Sequence, residues 1–258
     1  MTTFRLFLIL IILTNSISCS SQVNAWDIKT FENSPYLEIA RAVISEDTNV
    51  IRTLVQKDTT SLSYQDNKFG ITLLNFAVIW NKVLSVKQLL ELGANPNIRS
   101  LRDNGSAFLS ACEDFRLLKN GKEILTELID HGGDVNSVQK TWEYDHYYIG
   151  NPLTISCIYG NLESVKILIE NGAETSIYPK NGENSLVVLA LGNNLPVVKY
   201  FLLERQFPIP TYAVIRDSGT INERKLTVTD LLEESNFSSD DPTLKAEILK
   251  FIKDKGKR

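Results

Sequence analysis

The chain offers few groups that do chemistry at neutral pH. Histidine occurs only at His131 and His146, and cysteine only at Cys19, Cys112 and Cys157. Neither histidine sits in an HExxH helix or in a Cys/His cluster at metal-ligand spacing, and no GxSxG elbow or phosphate-cradling glycine loop is found. His131-Gly132-Gly133 has the look of an oxyanion loop, but a helix that ends on glycine accounts for it completely. Glu113-Asp114 supplies two carboxylates in a row. Adjacent residues on a helix point in different directions, so they read as a solvated helix end and not as an acid pair. The sequence therefore assigns no catalytic residue, no metal site and no cofactor. An enzyme remains the alternative only in the loop Val138 to Gly150, where His146 stands.

That loop, VQKTWEYDHYYIG, is better suited to recognition. It gathers Trp142, Tyr144, His146, Tyr147 and Tyr148, and Tyr and Trp are the side chains that most often anchor a protein partner. The competing reading folds these rings back over a neighbouring element. What positions the loop is the stretch Gly70 to Asn97, because versions of it recur. It reads as a turn, a helix over Leu73 to Trp80, a second helix over Leu84 to Leu92, and a loop opened by Gly93. Thr72, Leu74 and Ala77 align with Ser106, Phe108 and Ala111, then Asn151, Leu153 and Ser156, then Asn184, Leu186 and Leu189, at offsets of 34, 45 and 33 residues. Val86-Lys87, Leu125-Thr126, Val165-Lys166 and Val198-Lys199 mark the second helix of each copy. Three copies then end on Gly93-Ala94, Gly132-Gly133 or Gly172-Ala173, where a helix stops in a left-handed conformation. One such pair cannot bury its own apolar faces and needs copies stacked beside it.

The pattern resembles the ankyrin repeat family, G-x-T-P-L-H-x-A-A followed by V-V-K-x-L-L-x-x-G-A-D-x-N, over roughly residues 36 to 204. The resemblance implies an all-α solenoid of about five to six helix-turn-helix units, with repeats near 36–66, 67–100, 101–146, 147–179 and 180–210 and a C-terminal cap at 211–258. Residues 26–258 would then form a single domain. Its first unit is degenerate, with Glu46-Asp47-Thr48-Asn49 in place of a glycine turn and with Trp26 and Phe31 over the end of the core. In the last, Leu226 to Leu232 and Leu244 to Lys255 supply helices, the second starting at Asp241-Pro242-Thr243.

In that family the partner surface is the concave side. Carried over by position, it comprises Ile79 and Trp80, Glu113 and Asp114, Ile158 and Tyr159, and Leu191 and Gly192 from first helices. The finger loops add Lys68, Phe69 and Ile71, then Arg102, then Tyr147 and Tyr148. The result is aromatic at its centre with an acidic flank, which suits a protein partner carrying a basic patch. The chain should be a monomer when free.

Cys112 and Cys157 occupy one slot of neighbouring units. Equivalent points on stacked helices lie about 8–10 Å apart, beyond disulfide reach, so both should be buried thiols with no redox role. With 43% hydrophobic and 22% charged residues and a formal charge of -4, the composition is that of an ordinary globular chain and a poor match to nucleic acid. The basic residues from Lys250 to Arg258 complement the negative end of a last helix.

Residues 1–25 read as a signal peptide: a charge at Arg5, an apolar run Leu6 to Leu13, then small polar residues. The run falls short of the about 20 residues that span a bilayer. Ser16-Ile17-Ser18-Cys19 resembles a bacterial lipoprotein box with Cys19 as the lipidated residue, although Ser16 stands where an aliphatic residue is usual. Ordinary cleavage after Ser18 or Ala25 is the alternative. The expected location is the periplasm, or the outer membrane through a lipid anchor. In export signal, size and repeat style the chain resembles exported bacterial ankyrin proteins that act as immunity factors, holding a secreted toxic effector inactive. An envelope scaffold for a resident enzyme is the second protein-binding reading.

Overall fold

Short paired helices, each too short to be stable alone, are the main regular elements of the computed structural model. It describes residues 28–101, 105–137, 151–159, 161–176, 180–182, 185–191, 194–216, 223–234 and 242–255. Six helix pairs follow one another: α1 (Leu37–Ser45) with α2 (Thr48–Lys57), α3 (Leu73–Ile79) with α4 (Val83–Glu91), α5 (Ala107–Glu113) with α6 (Gly121–Asp130), α7 (Pro152–Ile158) with α8 (Leu162–Glu170), α9 (Leu186–Leu191) with α10 (Leu195–Lys199), and α11 (Val228–Glu234) with α12 (Pro242–Lys255). Two compact units contain them. Unit 1 holds the first three pairs and unit 2 the last three.

The first helices α3, α5, α7 and α9 start on a side-chain cap, whereas α1, which follows Tyr36, has none. Thr72 Oγ1 accepts from the Asn75 N–H, Ser106 Oγ from Leu109, Asn151 Oδ1 from Thr154 and Ser185 Oγ from Val188. Such caps satisfy N–H groups that have no partner inside the helix. The fourth cap corrects the expected register. Ser185, not Asn184, occupies the Thr72 slot, so Ala190 is the equivalent of Ala77 and Ala111. Ala190 is fully buried, whereas Leu189 is half-exposed. Leu191 accordingly shares the slot of Val78, Cys112 and Cys157, is buried to the same degree, and leaves the predicted surface.

The helix ends repeat with equal regularity. Gly93, Gly132 and Gly172 have φ of 97°, 87° and 90°. At each, the glycine N–H and the next N–H bond back to carbonyls three and five residues earlier, as in Ala94 to Leu89 (2.9 Å) and Ala173 to Leu168 (2.9 Å). The same closure joins the helices inside the first two pairs, with Glu46 (φ 56°) and Asn81 (φ 54°) in the left-handed position. These two side chains then serve the following pair. Glu46 Oε1 accepts from the Leu84 N–H at 2.9 Å and Asn81 Oδ1 from the Asn120 N–H at 3.2 Å. A degenerate turn thus supplies the cap that the next second helix lacks, since neither Lys82 nor Asn120 caps its own helix.

The fifth pair keeps its phase by a different device. Val198 falls 13 residues after Ser185 where the other unexpanded pairs have an offset of 14, and Gln206 (φ 53°) falls eight residues after Val198, where Gly172 falls seven after Val165. A π-helical turn, Tyr200–Glu204, takes up the extra residue, and the Phe207 N–H closes onto the Phe201 carbonyl. The residue lost in one turn is regained in the next helix.

The expected all-α architecture holds, with one addition. Strands β1 (Val214–Arg216) and β2 (Arg224–Leu226) form an antiparallel ribbon in the register Val214 to Leu226, Ile215 to Lys225 and Arg216 to Arg224. Leu226 is therefore a strand residue, and α11 begins two positions later, capped by Thr227 and Asp230 reciprocally. The expected start of the last helix at Pro242 is observed. Lys253 and Lys255 stand in its last turn, as expected, and Lys253 also pairs with Glu233 of α11 at 2.8 Å.

Cores form along the first helices. Phe31 closes the N-terminal end of unit 1, fully buried and edge-to-face with Phe76 at 5.2 Å. In unit 2, Ser156 fills the slot that alanine fills in α3, α5 and α9. Its hydroxyl is fully buried, and among the described residues it makes no hydrogen bond. Leaving a buried hydroxyl unbonded costs about 1–3 kcal/mol. Ser156→Ala should therefore stabilise the protein by about 1 kcal/mol, read as a higher urea midpoint at unchanged slope.

Candidate functional site

The candidate residues sit on the finger loops and at the ends of the first helices. The finger preceding α3 is organised by Asp66, which is buried. Its Oδ1 accepts from the N–H groups of Lys68 and Phe69 at 2.8 Å each, and its Oδ2 from Ile71 at 2.8 Å. Gly70 (φ 71°) completes the turn against Leu101, and Gln65 Nε2 donates to the carbonyls of Gly70 and Arg99, stitching one finger to the next.

This turn decides where the predicted finger residues go. Lys68 is exposed, but Phe69 is only 5% exposed and Ile71 is buried, so neither ring nor aliphatic chain belongs to the partner surface assigned to it. The Asp66 carboxylate draws the backbone inward at Phe69, and Lys68 Nζ lies 4.8 Å over the ring. Arg102 lies outside the described residues, as do Trp142, Tyr144, Tyr147 and Tyr148 of the aromatic loop, His146, and Cys19.

The first helices place the rest as a row at their C-terminal ends. In unit 1, Trp80 is the C-cap of α3 and Asp114 the C-cap of α5, with Ile79 and Glu113 immediately before them. Ile79, Trp80 and Asp114 are half-buried and Glu113 is exposed. The Trp80 ring sits edge-to-face on Phe76 at 6.3 Å. Burial pushes the Asp114 carboxyl above the ordinary aspartate value. In unit 2, Tyr159 is the C-cap of α7 and 47% exposed, beside half-buried Ile158.

Sequence reasoning missed the exposed apolar residues at the other edges of unit 1. Leu101 is 80% exposed in the finger and Leu117 66% exposed in the turn between α5 and α6. The insertion around Phe115 to Lys122 signals only a longer turn, because it buries Phe115 and Leu118 while turning Leu117 outward.

The remaining chemistry is structural. Cys112 and Cys157 are buried and, among the described residues, in no disulfide; burial pushes the Cys157 thiol up. No cluster of three metal-ligating side chains occurs among the described residues. His131 follows α6, with Nδ1 2.9 Å from the Glu127 carbonyl oxygen, a helix end as expected. Second helices are laced by exposed ion pairs, such as Lys87 with Glu123 (2.7 Å) and Glu127 (3.4 Å), and Lys166 with Glu204 (3.7 Å). Glu123 beside it holds the Lys87 ammonium above the ordinary lysine value. Such pairs contribute little each to stability.

Helix pairs repeat in each unit, with caps at equivalent positions of α3, α5, α7 and α9 and left-handed closures at Gly93, Gly132 and Gly172. The family profile described as ankyrin repeats (3 copies) matches residues 109–210, and that for a single ankyrin repeat matches residues 69–101. The chain belongs to the ankyrin-repeat family, and its repeats constitute a protein–protein interaction module. Among curated proteins no match is found.

Further stitching runs along the loops after the second helices. Asn97 Nδ2 donates to the Gly132 carbonyl and its Oδ1 accepts from the Asp134 N–H, at 2.8 and 2.9 Å. Asn136 makes the same pair of bonds with Gly172 and Glu174 in unit 2, at 3.0 and 2.9 Å. Ser176 stands next in this series, and its side chain is too short to repeat the pattern.

Proposed function

We propose that this protein binds another protein through the first-helix ends of unit 1 and catalyses nothing. What supports the reading most is the juxtaposition of half-buried Ile79 and Trp80 with Glu113 and Asp114, an apolar centre with an acidic flank on a rigid repeat. Aromatic residues in such settings carry a large part of binding energy, about 2 kcal/mol or more for one hot spot. The partner then presents a basic patch. Capture of a partner by the mature chain, with mass spectrometry to identify it, tests the reading. Trp80→Ala should weaken binding of the identified partner by about 30-fold, the equivalent of that hot-spot energy. An unchanged affinity would remove this face from the interface.

The chain further serves, in this proposal, in a bacterial envelope as an immunity factor that holds a secreted toxic effector inactive. Support comes from the N-terminal sequence, Arg5, Leu6 to Leu13 and Ser16 to Cys19, and from the resemblance already described. Acylation of Cys19 anchors the mature chain on a membrane more firmly than one chain does. The mature protein should start at Cys19 with an added lipid mass and partition into detergent, and Cys19→Ala should move it to the aqueous phase. A mature chain that starts at Ser20 or later refutes the anchor. Deleting the gene should expose cells to killing by their sisters; survival of the deletion strain sets the immunity role aside in favour of an envelope scaffold.

A further inference from the structure

The turns that join first to second helices form one edge of unit 1, and side chains tie them together. Glu46 Oε1 accepts from the Leu84 N–H at 2.9 Å and Asn81 Oδ1 from the Asn120 N–H at 3.2 Å. Leu84 is 55% exposed, two residues after half-buried Lys82, and Leu117 is 66% exposed between Arg116 and Lys119, which are exposed themselves. The turn carrying Leu117 is well held. Phe115 and Leu118 are buried at its base, and the N–H groups of Leu117 (2.7 Å) and Leu118 (3.0 Å) close on the Asp114 carbonyl. The Gly121 N–H bonds to the Leu118 carbonyl at 3.1 Å, and a methyl group at Gly121 would lie 2.7 Å from the Phe115 carbonyl oxygen. Two buried anchors thus hold one leucine outward among cations, a knob organised before it binds.

Charge and chain length together point to what this edge meets. A leucine among lysine and arginine suits a lipid surface with anionic headgroups: the side chain enters the boundary between headgroups and acyl chains, and the cations stay at headgroup level. Ile28 follows Cys19 by nine residues, which extend to about 30 Å at most. The first helices of unit 1 have nine, seven and seven residues, so the unit stands only about 10–14 Å tall along them. An acyl group on Cys19 therefore lets the turn edge lie on the bilayer that holds the anchor. Glu113 and Asp114 precede the turn and oppose the attraction, so the edge alone binds weakly. A short tether offsets this, because it raises the effective concentration of the edge into the millimolar range.

We infer that the turn edge of unit 1, with Leu117 at its tip, docks on an anionic phospholipid surface. This rests on the proposed acylation of Cys19, which brings the edge there, and it decides which side of the repeat faces outward. Ile79, Trp80, Glu113 and Asp114, at the same ends of the first helices, then meet their partner at the membrane surface. The finger at Lys68, which precedes α3, faces away from it.

The mature protein, made in a bacterium that acylates it, is reconstituted in vesicles of phosphatidylglycerol and phosphatidylcholine in equal parts. A fluorescent dye is placed on Leu117→Cys or, as control, on Asn67→Cys in the finger; both positions are exposed, and Cys112 and Cys157 are buried. Nitroxide-bearing lipids should quench the dye at 117 and not the dye at 67. Arg116→Gln with Lys119→Gln should weaken docking about 30-fold, about 1 kcal/mol for each cation, read as loss of that quenching. Equal quenching at both positions, quenching unchanged in the double variant, or quenching as strong in pure phosphatidylcholine overturns the docking. A mature chain without added lipid mass refutes the anchor and the docking together, whereas a lipidated chain quenched at neither position refutes the docking alone. Loss of the captured partner in Leu117→Asp, with the dye at 117 unquenched, would give the turn to the protein interface instead.

Discussion

Replacing Asp66 by alanine is expected to remove about 3 kcal/mol or more from the stability of unit 1, although the residue lies in a loop. Its carboxylate accepts three backbone N–H groups, and two of these belong to the buried residues Phe69 and Ile71. Hydrogen bonds to a charged group contribute about 1.5–3 kcal/mol each, and a buried N–H left without an acceptor costs about 1–3 kcal/mol. Water can reach Lys68 but not the other two without pulling Phe69 out of the core. Native-state hydrogen exchange would read this directly: the Phe69 and Ile71 amides should lose protection while those of Val165 and Leu168 in unit 2 keep theirs. Asp66→Asn should fall between, because one amide oxygen can still accept from Lys68 and Phe69 while the NH₂ faces the Ile71 donor. Equal protection in wild type and Asp66→Ala would show that the finger is held by packing alone.

Asp66 also marks the limit of what a sequence pattern conveys. The helix pairs were legible because their signals are local. Thr72, Ser106 and Asn151 can cap only a helix that follows, and Gly93, Gly132 and Gly172 can take φ near 90° where other residues rarely do. The fate of Phe69 was not local, since a buried carboxylate three residues earlier decides it. Nor was the register of the fifth pair, where two adjacent polar residues, Asn184 and Ser185, both resemble a cap. The shorter turn favoured one and the burial of Ala190 settled the other. Glu46 and Asn81 read as a loss of the glycine turn, and each is instead used twice, once by its backbone and once by its side chain for the next pair.

The sequence placed Trp80, Asp114 and Tyr159 in one slot of the repeat, and all three are helix C-caps. What it could not convey is how differently that slot is buried. Tyr159 is 47% exposed, whereas Asp114 has lost much of its water. Burial depends on the turn that follows, and in unit 1 that turn carries the insertion that brings Leu118 inward. Because burial raises the Asp114 pKa, the charged form is disfavoured in the folded state relative to the unfolded one. The sign is then fixed: this group withdraws stability as pH rises through the unfolded and then the folded value, and at neutral pH Asp114→Asn should raise the urea midpoint of the free protein.

Gly133→Ala should destabilise unit 1 by about 2 kcal/mol, although alanine stands at the same position in the units on either side. The clash is specific. A methyl group at Gly133 would lie 2.7 Å from Phe108 Cδ2 and 2.9 Å from Cε2, and overpacking of this kind costs about 1–3 kcal/mol. Where the equivalent of Phe108 is Leu74 or Leu153, the residue after the left-handed glycine is Ala94 or Ala173. Leucine with alanine, or phenylalanine with glycine, fills the same space. Phe108→Leu alone should cost about 1 kcal/mol by opening a void, but Phe108→Leu with Gly133→Ala should be less destabilised than the sum of the two by about 1–2 kcal/mol, a coupling that only neighbours show. Urea unfolding of the four proteins in a double-mutant cycle measures it. Additive losses would mean that the Leu128 carbonyl, 2.7 Å from the same methyl position, and not the Phe108 ring, sets the requirement for glycine.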